Sequence, residues 1–135
     1  MLEYEIKATV KPGEKARARA NQSEIKFDAS AGRDNELPNP AELLLTSLAA
    51  CLLKNVERYS QLLQYPYQSA KISVKGFRTD RPPSMQRIEY LLEIDTSIEY
   101  RKLQNWHKNI VKFGTITNTL AKSCKLLGKI DYLIN

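Results

Sequence analysis

The stretch Asn39–Tyr59, NPAELLLTSLAACLLKNVERY, decides the fold. Asn39 is a good N-cap, and Pro40 suits the first helical position, where a missing N–H costs nothing. Glu42 follows Asn39 by three residues, the spacing of a capping box. Helix-compatible residues continue to about Gln64, and Pro66 in YPY ends the run. At 1.5 Å per residue the helix is roughly 35–40 Å long. From Leu43 to Leu53 it is apolar all round apart from Thr46 and Ser47. A helix of that kind is buried on every side. A chain of 135 residues has little room to bury one internally, so the excess points to the centre of an obligate homodimer.

Upstream of this helix the pattern has period two. EYEIKATV alternates Tyr4, Ile6, Ala8 and Val10 with polar residues, and KPGEK turns the chain at Pro12-Gly13. KARARA then alternates again, NQS turns, and EIKFD is a third strand, so a small antiparallel meander is expected. Residues 29–40 form a loop. Downstream, AKISVKGF and RIEYLLEIDTSI read as hairpin partners joined by a long exposed connection, RTDRPPSMQ. Thr96 and Glu99 have capping-box spacing ahead of EYRKLQNWHKNIVKF, whose apolar face is Leu103, Trp106, Ile110 and Phe113. Gly114 breaks that helix. TITNTLAKSCKLL is a second, shorter one closed by Gly128, and KIDYLIN is a last strand. The order is βββ-α-ββ-αα-β, an α+β class with antiparallel sheets in a single domain, 1–135.

Composition narrows the function classes. The net charge of +6 comes from 21 Lys and Arg against 15 Asp and Glu, interspersed along the chain. No dense basic run or nucleic-acid motif occurs, so a solvated basic surface is the reading and nucleic acid is not an expected partner. No apolar run is long enough to span a membrane. The opening MLEYEIKATV has early acids and no apolar h-region, so a cytoplasmic location is the expectation. Two cysteines, Cys51 and Cys124, make no disulfide framework, and with one histidine they make no zinc site. No metal or cofactor is implied.

The residues able to carry chemistry are few. Cys51 lies mid-helix, where the helix N-terminus gives its thiol no help; from its surroundings alone it reads as a packed core cysteine. Lys15, Arg17 and Arg19 share one strand face. Such a row either faces solvent or, set against a thiol, favours the thiolate and holds a peroxide or oxyanion. His107, beside Trp106, reads as a partly packed helix histidine. Cys124 has Lys122 and Lys125 beside it, and nothing marks it as catalytic.

PNPAELLLTSLAAC resembles the central-helix motif of the OsmC/Ohr family, the osmotically inducible and organic-hydroperoxide-resistance proteins. NIVKFGTITNTLAKS resembles that family's later helix pair, and the element order agrees along essentially the whole chain. The resemblance implies an intertwined homodimer with its sites at the dimer interface. It implies thiol-dependent reduction of organic hydroperoxides, in which a peroxidatic cysteine becomes a sulfenic acid and condenses with a second cysteine. An external thiol or dithiol then resets the protein. Cys51 matches the peroxidatic cysteine. Arg17 or Arg19 would stabilise the thiolate, and Glu42 would orient that arginine. The sequence departs from the pattern at three positions: Gly114 stands at the second cysteine, Ala41 at the helper glutamate and Glu14 at the arginine. A one-cysteine enzyme is one consequence. The other is a non-peroxidase member that binds a small apolar ligand at the interface, with Cys51 structural.

Overall fold

The computed structural model of the chain describes residues 1–134. Its elements are β1 (Lys7–Thr9), β2 (Ala16–Ala20), β3 (Ser23–Phe27), α1 (Pro40–Leu63), β4 (Ser69–Asp80), β5 (Pro83–Asp95), α2 (Tyr100–Lys112), α3 (Thr115–Leu120) and β6 (Lys125–Tyr132). This is the expected βββ-α-ββ-αα-β order. Two compact units share it, Met1–Leu44 and the chain from Leu45 onward.

In the first unit β1, β2 and β3 form the expected antiparallel meander. β1 is only three residues long, shorter than the alternation of EYEIKATV suggests. Gly13, at φ +76°, makes the turn before β2, where a side chain would be strained. Ala16 is buried on one face of β2, whereas Arg17 and Arg19 are exposed. Buried Asp28 organises the loop that follows. It accepts from Ser30 Oγ at 2.6 Å, Ser30 N at 2.9 Å and Asp34 N at 2.9 Å. These bonds, the Ser30 hydroxyl foremost, hold its carboxyl below the ordinary range. The start of α1 is a reciprocal capping box: Glu42 N donates to Asn39 Oδ1 at 2.9 Å and Asn39 N donates to Glu42 Oε1 at 3.0 Å.

In the second unit β4, β5 and β6 form a sheet in that order. β4–β5 is antiparallel, but β5–β6 is parallel, which departs from the all-antiparallel expectation. The reason is topological, because α2 and α3 carry the chain across between β5 and β6. Ile88, Tyr90, Leu92 and Ile94, at alternate positions of β5, share one core with Leu48, Leu52, Val56 and Tyr59 of α1 and Leu103, Trp106 and Ile110 of α2. Burial of each large apolar side chain contributes about 1.5–3 kcal/mol. Two side-chain bonds tie α1 to α2. Trp106 Nε1 donates to Val56 O at 3.2 Å, and Asn55 Nδ2 donates to Ile110 O at 3.0 Å.

Several boundaries differ from the sequence reading. RTDRPPSMQ is mostly strand: β4 runs to Asp80 and β5 begins at Pro83, with a cis Arg81–Pro82 peptide between them. Thr96 and Glu99 make no capping box, since Glu99 is the N-cap without a side-chain bond and Thr96 Oγ1 donates to Pro66 O at 2.7 Å. α3 ends at Leu120, and Gly128 lies inside β6. Pairing with β5 from Arg87↔Lys125 onward draws residues 125–128 out of the helix. The expected last strand included Asn135, which lies outside the described residues. Phe113 leaves the buried face of α2 because the helix stops at Lys112 and Phe113 is its C-cap, at φ −106° and ψ 19°.

Candidate functional site at the helix junction

Cys51 sits on the fourth turn of α1, half-buried, with a free thiol. Asn55, one turn on, is anchored to the Ile110 carbonyl in the last turn of α2. That bond holds the α2–α3 junction against the Cys51 side of α1. At the junction stands Gly114, buried, in extended conformation as the N-cap of α3. A Cβ placed on Gly114 would lie 3.0 Å from Cys51 Sγ, 2.5 Å from Thr117 Oγ1 and 3.3 Å from Ile110 O. Across a disulfide, the Cβ of one cysteine is about 3 Å from the sulfur of the other, given the S–S length. Position 114 therefore stands at disulfide range from Cys51, and it is a glycine.

Thr117 closes the other side of that point. Its hydroxyl is buried and lies 2.7 Å from Val111 O and 2.9 Å from Gly114 O, which it satisfies as donor. Asn118 Nδ2 donates to Lys112 O at 3.1 Å, so two side chains of α3 cap the carbonyls that α2 leaves open. The spacing within GTITN sets this geometry. The sequence reading passed over Thr117, although a hydroxyl three residues after a helix-breaking glycine is a legible capping signal.

The remaining candidates are placed as follows. Arg17 Nη1 and Arg19 Nη2 both approach Glu24 on β3, at 3.4 and 3.7 Å. Lys15 pairs with Asp34 and, at 3.3 Å, with Glu36. Glu42 caps α1 with its carboxylate, a task the motif comparison did not assign to it. Cys124 follows α3, and its sulfur lies 3.5 Å from Leu120 O. His107 bonds Tyr90, whose hydroxyl is 2.6 Å from Nε2. Desolvation raises the Tyr90 pKa to about 12 and lowers that of His107, which favours a neutral phenol beside a neutral imidazole, and the imidazole tautomer sets which of the two donates. Among the described residues no group of three or more His, Cys, Asp and Glu comes together as a metal site.

Two three-stranded sheets, a long helix bearing a free thiol and a crossover helix pair that meets this thiol define an α+β protein. A family model described as OsmC-like protein matches residues 32–126. The chain belongs to that family. Solved structures agree in fold. An OsmC-like protein of Mycoplasma pneumoniae is 20% identical, with 98% of this chain and 99% of that chain covered and a TM-score of 0.88. An organic hydroperoxide resistance protein OsmC of Legionella pneumophila is 12% identical, over 98% and 100%, with a TM-score of 0.76. The organic hydroperoxide resistance protein OhrB of Bacillus subtilis is 15% identical, over 94% and 98%, with a TM-score of 0.63. No curated protein matches the sequence.

Proposed function

We propose that the chain is a single-cysteine hydroperoxide reductase of the OsmC type, with Cys51 as the peroxidatic thiol. The observation that carries this reading is position 114, at disulfide range from Cys51 Sγ. That distance supports reading the pair as a two-cysteine thiol site whose second sulfur is missing. The Cys51 thiolate attacks the terminal peroxide oxygen, the O–O bond breaks, and the alcohol leaves with a proton. Cys51 is oxidised to the sulfenic acid and the peroxide is reduced. A small external thiol then attacks the sulfenic sulfur and water leaves, forming a mixed disulfide. A second external thiol, or the other arm of a dithiol, releases Cys51 and carries away the disulfide.

Arg17 and Arg19 are carried over from the family resemblance as candidates for the positive charge that favours the thiolate and the departing oxygen; the Glu42 carboxylate, the expected orienting group, caps α1. The active form is a homodimer of a single domain, 1–135, in a reducing cytoplasm. Exposed leucines on α1, Leu44 at 37% and Leu53 at 36%, support a partner for that helix. No helix among the described residues is long and apolar enough to cross a membrane.

The test is mass spectrometry of the protein after limiting cumene hydroperoxide, with dimedone present. We expect the adduct at Cys51, none at Cys124, and loss of peroxide consumption in Cys51→Ser but not in Cys124→Ser. Unchanged consumption by Cys51→Ser defeats the reading.

A further inference from the structure

Lysine and arginine occur along the whole chain, but their excess over acids does not. Residues 100–130 hold seven of the 21 Lys and Arg and none of the 15 Asp and Glu. The rest of the chain has fourteen cations against fifteen acids, so the whole net charge of +6 comes from this segment. Four of the seven, Arg101, Lys102, Lys108 and Lys112, lie on α2, and all four are exposed. Arg101, Asn105, Lys108 and Lys112 follow one another at steps of four, three and four residues, which makes one stripe along the helix. The stripe lies opposite the buried Leu103, Trp106 and Ile110, on the outermost face of α2. The ion pairs among the described residues belong to Lys15, Arg17, Arg19, Arg78 and Arg87, and none reaches α2. Between β4 and β5 the signs alternate instead, with Lys71 opposite Glu93 and Lys75 opposite Glu89.

Folding does not call for the α2 arrangement. Arg101 and Lys102 follow the N-cap Glu99 in a first turn that has no acid, although the positive end of a helix favours negative side chains. Lys108 and Lys112, four residues apart, repel each other. The stripe also ends at the thiol. Lys112 is two residues from Gly114, so its Cα lies within about 7 Å of that of Gly114. Gly114 is the residue whose added Cβ would meet Cys51 Sγ.

We propose that this face of α2 docks an acidic protein segment whose dithiol reduces Cys51. The inference rests on the Cys51 reading for the reaction, and it adds the charge of the reductant and the place where it sits. A small thiol has no use for a cationic stripe about 16 Å long, whereas a protein is steered and oriented by one. A bilayer surface would gain the charge term alone, because the apolar side of α2 is spent in the core. Nucleic acid has no reason to end at a thiol, and a reductant must. With the segment seated, one of its thiols bonds to the Cys51 sulfenic sulfur and the oxygen leaves as water. Its second thiol attacks the first across the mixed disulfide and gives its proton to solvent. Cys51 leaves as thiolate, and the partner ends as a disulfide.

The test needs no peroxide turnover. Cys51 of the Cys124→Ser protein is converted to a mixed disulfide with Ellman's reagent. Release of thionitrobenzoate is then timed with a cysteine peptide rich in glutamate and with the same peptide carrying glutamine at those positions. Each rate is normalised to that peptide's rate with a small neutral disulfide. In low salt the glutamate peptide is expected to be on the order of tenfold faster. The advantage is expected to vanish at about 1 M salt, where the Debye length is about 3 Å. The triple variant Arg101→Glu, Lys108→Glu and Lys112→Glu is expected to abolish it. The triple variant Lys26→Glu, Lys71→Glu and Lys75→Glu, of the same net charge, is expected to keep it. Equal rates for the two peptides with the wild-type face, or equal loss in both triple variants, overturn the proposal. A DNA duplex that binds more tightly than the glutamate peptide and is released by the α2 variant also overturns it, in favour of nucleic acid. A faster glutamate peptide without peroxide consumption by the unlabelled protein upholds the docking face, and the peroxidase reading alone falls.

Discussion

Gly114 is the residue on which the reading of Cys51 turns. In the sequence it is a helix breaker at the place where the family resemblance implies a second cysteine. The structure adds that its missing side chain would stand 3.0 Å from Cys51 Sγ. A Gly114→Cys variant is therefore expected to form a 51–114 disulfide under mild oxidant, read as the loss of two hydrogens from the linked peptides. Thr117 Oγ1, 2.5 Å from the same point, must rotate to admit the new side chain. Giving up its carbonyl bond lowers the stability of the reduced variant by about 1 kcal/mol. A cross-link to Cys124 instead, or none, would show that the junction is not at disulfide range. The alternation in KARARA told which face Arg17 and Arg19 share. The shared carboxylate, Glu24, is seven and five residues further along the chain and emerged only with the β2–β3 register.

At the scale of elements, α1 was the most legible. Its cap, its length and its stop at YPY all follow from local chemistry, and the capping box is present with both bonds made. The C-terminal elements were less legible, because TITNTLAKSCKLL has helix-compatible residues whose last part belongs to a strand. Parallel pairing with β5 outweighs helix propensity there. Gly128 accordingly has a different task from the helix stop first assigned to it. It pairs with Tyr90, whose ring crosses over it; a Cβ at position 128 would fall 1.9 Å from Tyr90 Cζ. Gly128→Ala is expected to cost about 1–3 kcal/mol in a denaturant melt, since the ring must leave its place and its bond to His107. A loss below about 0.5 kcal/mol would mean that the ring has an equally good alternative position.

At the scale of the molecule, the apolar run from Leu43 to Leu53 points to a partner, because it offers more apolar helix surface than a chain of this length is expected to cover. Within one chain α1 buries Leu48, Leu52, Val56 and Tyr59 and leaves Leu44, Leu53 and Leu62 exposed. If a second copy covers them, Leu53→Glu lowers the sedimentation-equilibrium mass toward that of one chain at micromolar concentration. An unchanged mass, whether of monomer or dimer, removes this helix face from the interface.

The sequence by itself determined the order of the elements, the extent of α1 and the family, because caps, breakers and hydrophobic period act over a few residues and are written locally. The meeting of Cys51 with Gly114, the exposure of Phe113, the sharing of Glu24 by two arginines and the parallel β5–β6 pair were decided only by the tertiary structure. Each joins elements distant in the chain or separated by a turn, and no local preference encodes which distant backbone will lie against a given side chain.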